Sequence, residues 1–224
     1  VLAGKNDGKM AAIADFNEAG LHVLADKPWA IGPESETHLL RLDPERALAM
    51  DIMTSRFDVV AQLRRAITRD ADLFGGFRTD GEPAIEIGSV HHLVKQVNGK
   101  VLVRPPWYYD VAVQGDGIVD IQSHMTDQVQ WLLEGDTPWS FTRDIEALQA
   151  RRWPTVVPPS LFARSTGASG FPDSFQRTLV DGSLPLRCNG VVEYRARGIP
   201  VRQRAEWGKV EPDGGGDLHL SLIH

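Results

Sequence analysis

The sequence predicts an α/β chain in two parts: half of a parallel α/β domain over residues 1–53, then an α+β domain with a largely antiparallel sheet over residues 54–224. Three observations predict this. Short apolar runs alternate with helix-compatible stretches in the first part, which is the signature of a parallel sheet with helical crossovers. Beyond Met53 the pattern changes, and late strand-like runs flank Gly198-Ile199-Pro200, a hairpin signal. A single long helical stretch, from near Gly117 to Gly135, interrupts that second pattern.

Val1-Leu2-Ala3-Gly4 reads as the end of a buried strand. Asp7 is placed to cap a helix over Lys9–Glu18, closed by Gly20 where a left-handed residue is wanted. His22-Val23-Leu24-Ala25 is a second short strand, ended by Asp26-Lys27-Pro28. A helix follows Pro33, whose fixed φ suits a first helical turn. Leu48–Met53 reads as a third strand. A helix over Thr54–Arg69 carries Val59, Val60, Leu63 and Ile67 at helical spacing. Strands are expected over Leu73–Arg78, Ala84–His92 and Val101–Arg104, then an aromatic loop, Pro105-Pro106-Trp107-Tyr108-Tyr109-Asp110. Residues 136–170 read as loop with one helix near Arg143–Ala150. Leu184–Arg197 and Val201–Trp207 are strand-like runs around Gly198-Ile199-Pro200, a hairpin signal. Gly214-Gly215-Gly216-Asp217 is a further turn.

Composition narrows the function. The 224 residues are 42% hydrophobic and 24% charged, an ordinary globular balance. A net charge of -6 offers no attraction to nucleic acid or anionic lipid. No stretch is long and apolar enough to span a membrane. The one cysteine, Cys188, has no intramolecular partner, so a reducing, cytoplasmic location is expected. The chain starts at Val1 inside an apolar run and stops at Leu220-Ser221-Leu222-Ile223-His224, which reads as a strand cut short. A fragment of a longer protein is the expectation, with any export signal outside these residues.

The chemistry-bearing stripe is Asp120, His124 and Asp127, at i, i+4 and i+7 of the long helix. These side chains share a face, with neighbours roughly 6 Å apart. A carboxylate one turn from an imidazole can orient it and raise its basicity, as a general base requires. A solvated polar face explains the same spacing equally well. Lys27 ends a predicted buried strand, and ligands bind at the carboxyl ends of parallel strands; a surface lysine in a strand-to-helix loop is the plain alternative. His91 and His92 are adjacent on one strand and point to opposite faces, so only one can reach a cleft. With Asp120 and His124 they invite a metal reading, but no spacing matches a metal motif, and no metal site is assigned. Trp107, Tyr108 and Tyr109 can form an aromatic wall for a sugar ring, with Lys95 or Arg104 near Trp107 or Tyr108, or they can be ordinary core. No GxGxxG is present, and Gly214-Gly215-Gly216 does not open a helix.

Taken together, these pieces resemble the glucose–fructose oxidoreductase/inositol dehydrogenase (Gfo/Idh/MocA) family. Ala3-Gly4-Lys5-Asn6 through Ala19-Gly20-Leu21-His22-Val23-Leu24-Ala25-Asp26-Lys27-Pro28 resembles that family's TPNxxH…AGKHVxxEKP block. Gly115–Asp127 resembles its GGGxxxDxGxHxxD helix, with Asp120, His124 and Asp127 in register. A subgroup of oxidoreductases with their own C-terminal domain is similar through LAGKN, HVLADKPW, DIMT, SVHH, RPPW and QGDGIVD. The departures are Gly4-Lys5 for Thr-Pro, Lys9 for His, Asp26 for Glu, and Asp116 between Gly115 and Gly117.

The resemblance implies a partial Rossmann-like parallel sheet, followed by an open-sheet domain, with substrate between them. It implies hydride transfer between a carbon bearing a hydroxyl, in a sugar, cyclitol or related polyol, and NAD or NADP. Gly4, Asn6, Asp26, Lys27 and Pro28 would meet the cofactor. Lys27 would hold the substrate hydroxyl, His124 would take its proton, and Asp120 would orient His124. His91, His92, Lys95, Arg104, Trp107, Tyr108 and Asp127 would contact substrate. The family's first strand, glycine-rich turn and ribose-binding acid have no counterpart here, so NAD and NADP stand as alternatives. A homo-oligomer through the C-terminal sheet is implied for the whole protein. Two other functions compete: a non-catalytic carbohydrate-binding relative, and a metal-dependent hydrolase or lyase using His91 or His92 with Asp120 and His124.

Overall fold

The structure is a computed structural model that describes every residue from Val1 to His224 except Thr54. Its first part runs α1 (Lys9–Glu18), β1 (Val23–Ala25), α2 (Ser35–Leu39) and β2 (Ala49–Asp51). β1 and β2 pair in parallel, with Val23 opposite Ala49, and Leu2 bridges to Ala25 on the far side. Met10, Ile13, Val23 and Ala25 bury their side chains in a small core of their own. Gly8, in the left-handed region, stands at the start of α1, and the cap expected of Asp7 does not form. The backbone amides of Asn6 and Asp7 turn instead to the carbonyl of Val113.

The second part runs α3 (Val59–Arg69), α4 (Ala71–Phe74), β3 (Ile85–Val94), β4 (Gln96–Val97), β5 (Lys100–Val101), α5 (Val111–Gln114), α6 (Gly117–Leu132), α7 (Phe141–Asp144), β6 (Ile145–Val157), α8 (Pro159–Thr166), β7 (Leu184–Ala196), β8 (Ile199–Val210) and β9 (Leu218–Ile223). Five strands form one sheet in the order β6-β7-β8-β3-β9. Only β3 and β8 pair in parallel; the other neighbours are antiparallel. β7 and β8 are joined by Arg197 and Gly198, both at positive φ, the turn whose twist matches that of a tight hairpin. α6 and α8 cover one face of the sheet. Ile121, Met125, Val129 and Phe162 fill the space against Ile85, Leu186, Val201 and Trp207. The other face carries charge, with Arg202 paired to Glu193 at 2.7 Å and Arg204 to Glu206 at 2.5 Å.

Several expectations are corrected. The helix expected over residues 54–69 is regular only from Val59, because the Asp58 side chain caps it there by accepting from the amides of Val60 and Ala61; Thr54, its expected start, lies outside the described residues. Its apolar residues Val59, Val60 and Leu63 are exposed. Leu73–Arg78 is no strand: Asp70 caps the short α4, and Gly75 ends it in the left-handed region. Of Val101–Arg104 only Val101 pairs, in a hairpin turned by Asn98 and Gly99. The helix expected near Arg143–Ala150 is replaced by the 13-residue β6, which pairs with β7 over its length, so tertiary pairing overrides local preference. Among the described residues, no helix is long and apolar enough to cross a membrane.

Candidate active site

A cavity of about 1130 Å³ opens where the carboxyl end of β1 faces α6 and the β3–β9 edge of the large sheet. Gly4, Asn6, Asp26 and Lys27 line it from the first part, and Asp120 and His124 from α6. His91, Lys95, Arg104, Trp107 and Tyr108 complete the sequence-predicted residues on its wall. Three residues singled out from sequence do not line it. Pro28 is buried behind Lys27. His92, on the opposite face of β3 from His91, is buried against Gly208. Asp127 is buried and engaged by the Arg56 guanidinium, whose Nε lies 2.9 Å from both carboxylate oxygens.

Lys27 Nζ lies 2.6 Å from Asp120 Oδ1 and donates to the Asp120 carbonyl at 3.0 Å. Both side chains are largely buried, at 19% and 12% exposure, so each supplies the countercharge the other needs. Asp120 therefore orients Lys27, not His124 as expected. His124 is half-buried on the same helix face. Burial, and then the Lys27 cation, hold its pKa below the ordinary histidine value. Its imidazole is thus neutral at neutral pH and free to accept a proton.

The β1 side is braced by Lys9, a buried lysine whose Nζ donates to Asn6 Oδ1 at 2.5 Å and to the Asp26 carbonyl at 3.0 Å. Burial lowers its pKa. Asn6 passes the tie on, donating to the Gln114 carbonyl at 2.7 Å. These bonds fix the loop after the first strand against the entry to α6. The helix itself comes close to the sheet: a Cβ on Gly117 would stand 2.6 Å from Cys188 Cβ.

Arg104 is a strut. Its guanidinium donates to the carbonyls of Leu93 and His92 at 3.1 Å each and lies 4.4 Å from the Tyr108 ring centre, with Trp207 at 5.3 Å. Burial raises the Tyr108 pKa, so its hydroxyl keeps its proton. On the adjoining wall Asp217 takes a hydrogen bond from Lys95, and His91 Nδ1 stands 2.9 Å from the same carboxylate. Burial would raise the Asp217 pKa, but the hydrogen bond and charge of Lys95 outweigh it and leave it lowered. Burial pushes His91 down to about 4 against the pull of Asp217. Among the described residues, no group of three His, Cys, Asp or Glu side chains is arranged to hold a metal ion.

Residues 63–224 match the family model described as "Putative oxidoreductase C terminal domain". The chain belongs to this Gfo/Idh/MocA-type oxidoreductase family. A "putative oxidoreductase" from Parabacteroides merdae is 37% identical, with a TM-score of 0.92 over 99% of this chain and 52% of its own. The WlbA dehydrogenase from Bordetella pertussis, solved with NADH and UDP-GlcNAcA, shares the fold at 15% identity (TM-score 0.53, 92% of this chain and 47% of its own). So does a "putative myo-inositol dehydrogenase" from Sinorhizobium meliloti, at 15% identity and a TM-score of 0.54 over 96% of this chain and 54% of its own. The chain thus spans about half the length of these structures. No curated protein matches it.

The cleft of this family member also holds residues that sequence reasoning passed over. Ser89, Trp207, Asp217 and His219 line it, as do Arg64 and Gln114. Ser89 carried a usable signal: it lies two residues before His91 and so shares its strand face. Asp217 and His219 carried none, because β9 reaches β3 only through pairing across more than a hundred residues.

Proposed function

We propose that the protein carrying this chain is an NAD- or NADP-dependent dehydrogenase that acts on a CH–OH group of a sugar, cyclitol or related polyol. The observation that carries the reading is the Lys27–Asp120 ion pair with a neutral His124 one helical turn on, all in one large cavity at the carboxyl end of a parallel strand. The β1 side fits a nicotinamide group. Gly4 holds φ at +96° with open space where a Cβ would point, and Lys27 stands beside it on the same wall. Gly4, Asn6, Asp26 and Lys27 would hold that group, which supplies the hydride acceptor when bound.

The chain's own residues then divide the remaining work. Lys27 Nζ, fixed by Asp120, donates to the substrate hydroxyl oxygen and sets its position. His124 accepts the hydroxyl proton, a contribution of roughly 10²–10⁴-fold for a placed general base. Trp107 supplies an apolar wall for ring C–H groups. The charged open face of the large sheet would serve assembly into a homo-oligomer, and the buried free thiol of Cys188 suits a reducing compartment such as the cytoplasm. The test is a panel of neutral sugars and cyclitols offered with NAD and with NADP to the purified protein, reading nicotinamide reduction. Turnover of at least one pair is expected; absence of turnover across the panel, with the protein folded and binding cofactor, overturns the reading.

A further inference from the structure

The β3–β9 wall of the cleft carries a chain of close polar contacts whose proton positions follow from its Asp217 end. The Asp217 carboxylate only accepts, so His91 Nδ1, 2.9 Å away, bears a hydrogen. Burial keeps the His91 ring uncharged, which leaves Nε2 with a bare lone pair. Ser89 Oγ lies 2.7 Å from that nitrogen and must give it the single hydroxyl hydrogen. Ser89 Oγ can then only accept from His219 Nδ1, 3.1 Å away, so that nitrogen is protonated too. In a neutral His219 ring the remaining nitrogen, Nε2, carries a lone pair. His219 is exposed on the cavity wall, while Ser89 beneath it is 5% exposed. Lys95 neutralises Asp217, so the cluster has no spare positive charge.

We propose that Asp217, His91, Ser89 and His219 form a subsite that accepts a hydrogen bond from a hydroxyl of a neutral polyol at His219 Nε2 and rejects a carboxylate at that position. The subsite rests on the polyol reading above only for the kind of molecule that enters the cleft. An acceptor lone pair backed by a neutralised carboxylate gives an OH donor a partner. A substrate carboxylate, which only accepts, would meet lone pair against lone pair and be desolvated without compensation.

The experiment has two arms, neither needing turnover. Long-range proton–nitrogen correlation spectra of the histidine rings are recorded about two pH units above the ordinary histidine value, with His91→Gln and His219→Gln used for assignment. Both rings are expected as the Nδ1–H tautomer, and Ser89→Ala should release His219 alone to a mixture. Calorimetry then compares glucose and myo-inositol with glucuronate. A neutral polyol is expected to bind about tenfold tighter than glucuronate. His219→Ala should weaken it by up to about tenfold, the size of one hydrogen bond, and leave glucuronate unchanged. An Nε2–H or doubly protonated His219, preference for glucuronate, or no binding by any of the three overturns the proposal. A protein that shows the tautomers and the preference but never reduces a nicotinamide would sink the dehydrogenase reading and leave this subsite standing.

Discussion

Lys27, beyond the end of β1, and Asp120, in the first turn of α6, meet side chain to side chain at 2.6 Å across 93 residues of sequence. The pair ties the parallel strands to the long helix at the cavity wall, which both residues line. Removing either partner leaves the other largely buried without a countercharge. Lys27→Met and Asp120→Asn should each destabilise the protein, and the double variant by less than their sum. A coupling of about 0.5–3 kcal/mol is expected from a denaturant-unfolding double-mutant cycle; simple additivity would show that the two groups do not interact.

His91 makes stability depend on pH. Its folded pKa is about 4, below the ordinary value of about 6.5, so the folded state binds fewer protons than the unfolded one between these limits. The contribution is fully present above about pH 6.5 and is lost as pH falls toward 4, with a slope of at most about 1.4 kcal/mol per pH unit. His124, lowered in the same direction, adds to the trend. In His91→Gln the fall in melting temperature over that window should be shallower than in the parent. An unchanged slope would assign the loss to other groups.

Gly117 should tolerate no side chain. A Cβ there meets Cys188 Cβ at 2.6 Å and its Cα at 2.7 Å, and a strand backbone does not give way cheaply. Gly117→Ala should cost about 1–3 kcal/mol, as overpacking does, and should shift the start of α6, which carries Asp120. Unchanged stability and unchanged turnover would mean that the helix does not approach β7 this closely.

Arg56 should matter to stability and little to chemistry. It engages Asp127, which is 7% exposed and lies outside the cavity. Arg56→Ala leaves that carboxylate buried and unpaired, at a cost of about 1–3 kcal/mol. Thermal unfolding should register it, while kcat and KM change by less than their counterparts in Lys27 or His124 variants. A large loss of turnover in a stable Arg56 variant would return Asp127 to the substrate side.

What the sequence made legible follows from how local the signals are. α6 and its polar residues stand out because helical spacing fixes which side chains share a face, and β1 because Pro28 and Gly20 bracket an apolar run. The β7–β8 hairpin shows through its Gly198-Ile199-Pro200 segment, although the turn is made by Arg197 and Gly198. β6 was illegible: Glu146–Arg152 is exposed along an edge strand, so no alternation marks it, and only pairing with β7 makes it a strand. Within the site, the Asp120–His124 spacing was visible, but the preference of Asp120 for Lys27 depends on a contact between distant segments. Asp127 matched the stripe by number and failed by direction, because Arg56 draws it away from the cavity. The Asp217–His91–Ser89–His219 chain depends on the register of β9 against β3, which no local pattern encodes.

In the proposed reaction Lys27 and His124 handle the proton of a substrate hydroxyl while a nicotinamide takes the hydride. The most direct measurement is steady-state reduction of NAD or NADP by the protein carrying this sequence, for parent, Lys27→Ala and His124→Ala, with cofactor affinity measured separately by tryptophan fluorescence. His124→Ala is expected to lower kcat by roughly 10²–10⁴-fold, with cofactor affinity nearly unchanged. Lys27→Ala should lower kcat and also weaken cofactor binding, because Lys27 lines the wall shared by both ligands. Parent-like turnover in a folded His124→Ala or Lys27→Ala protein would contradict the proposed reaction.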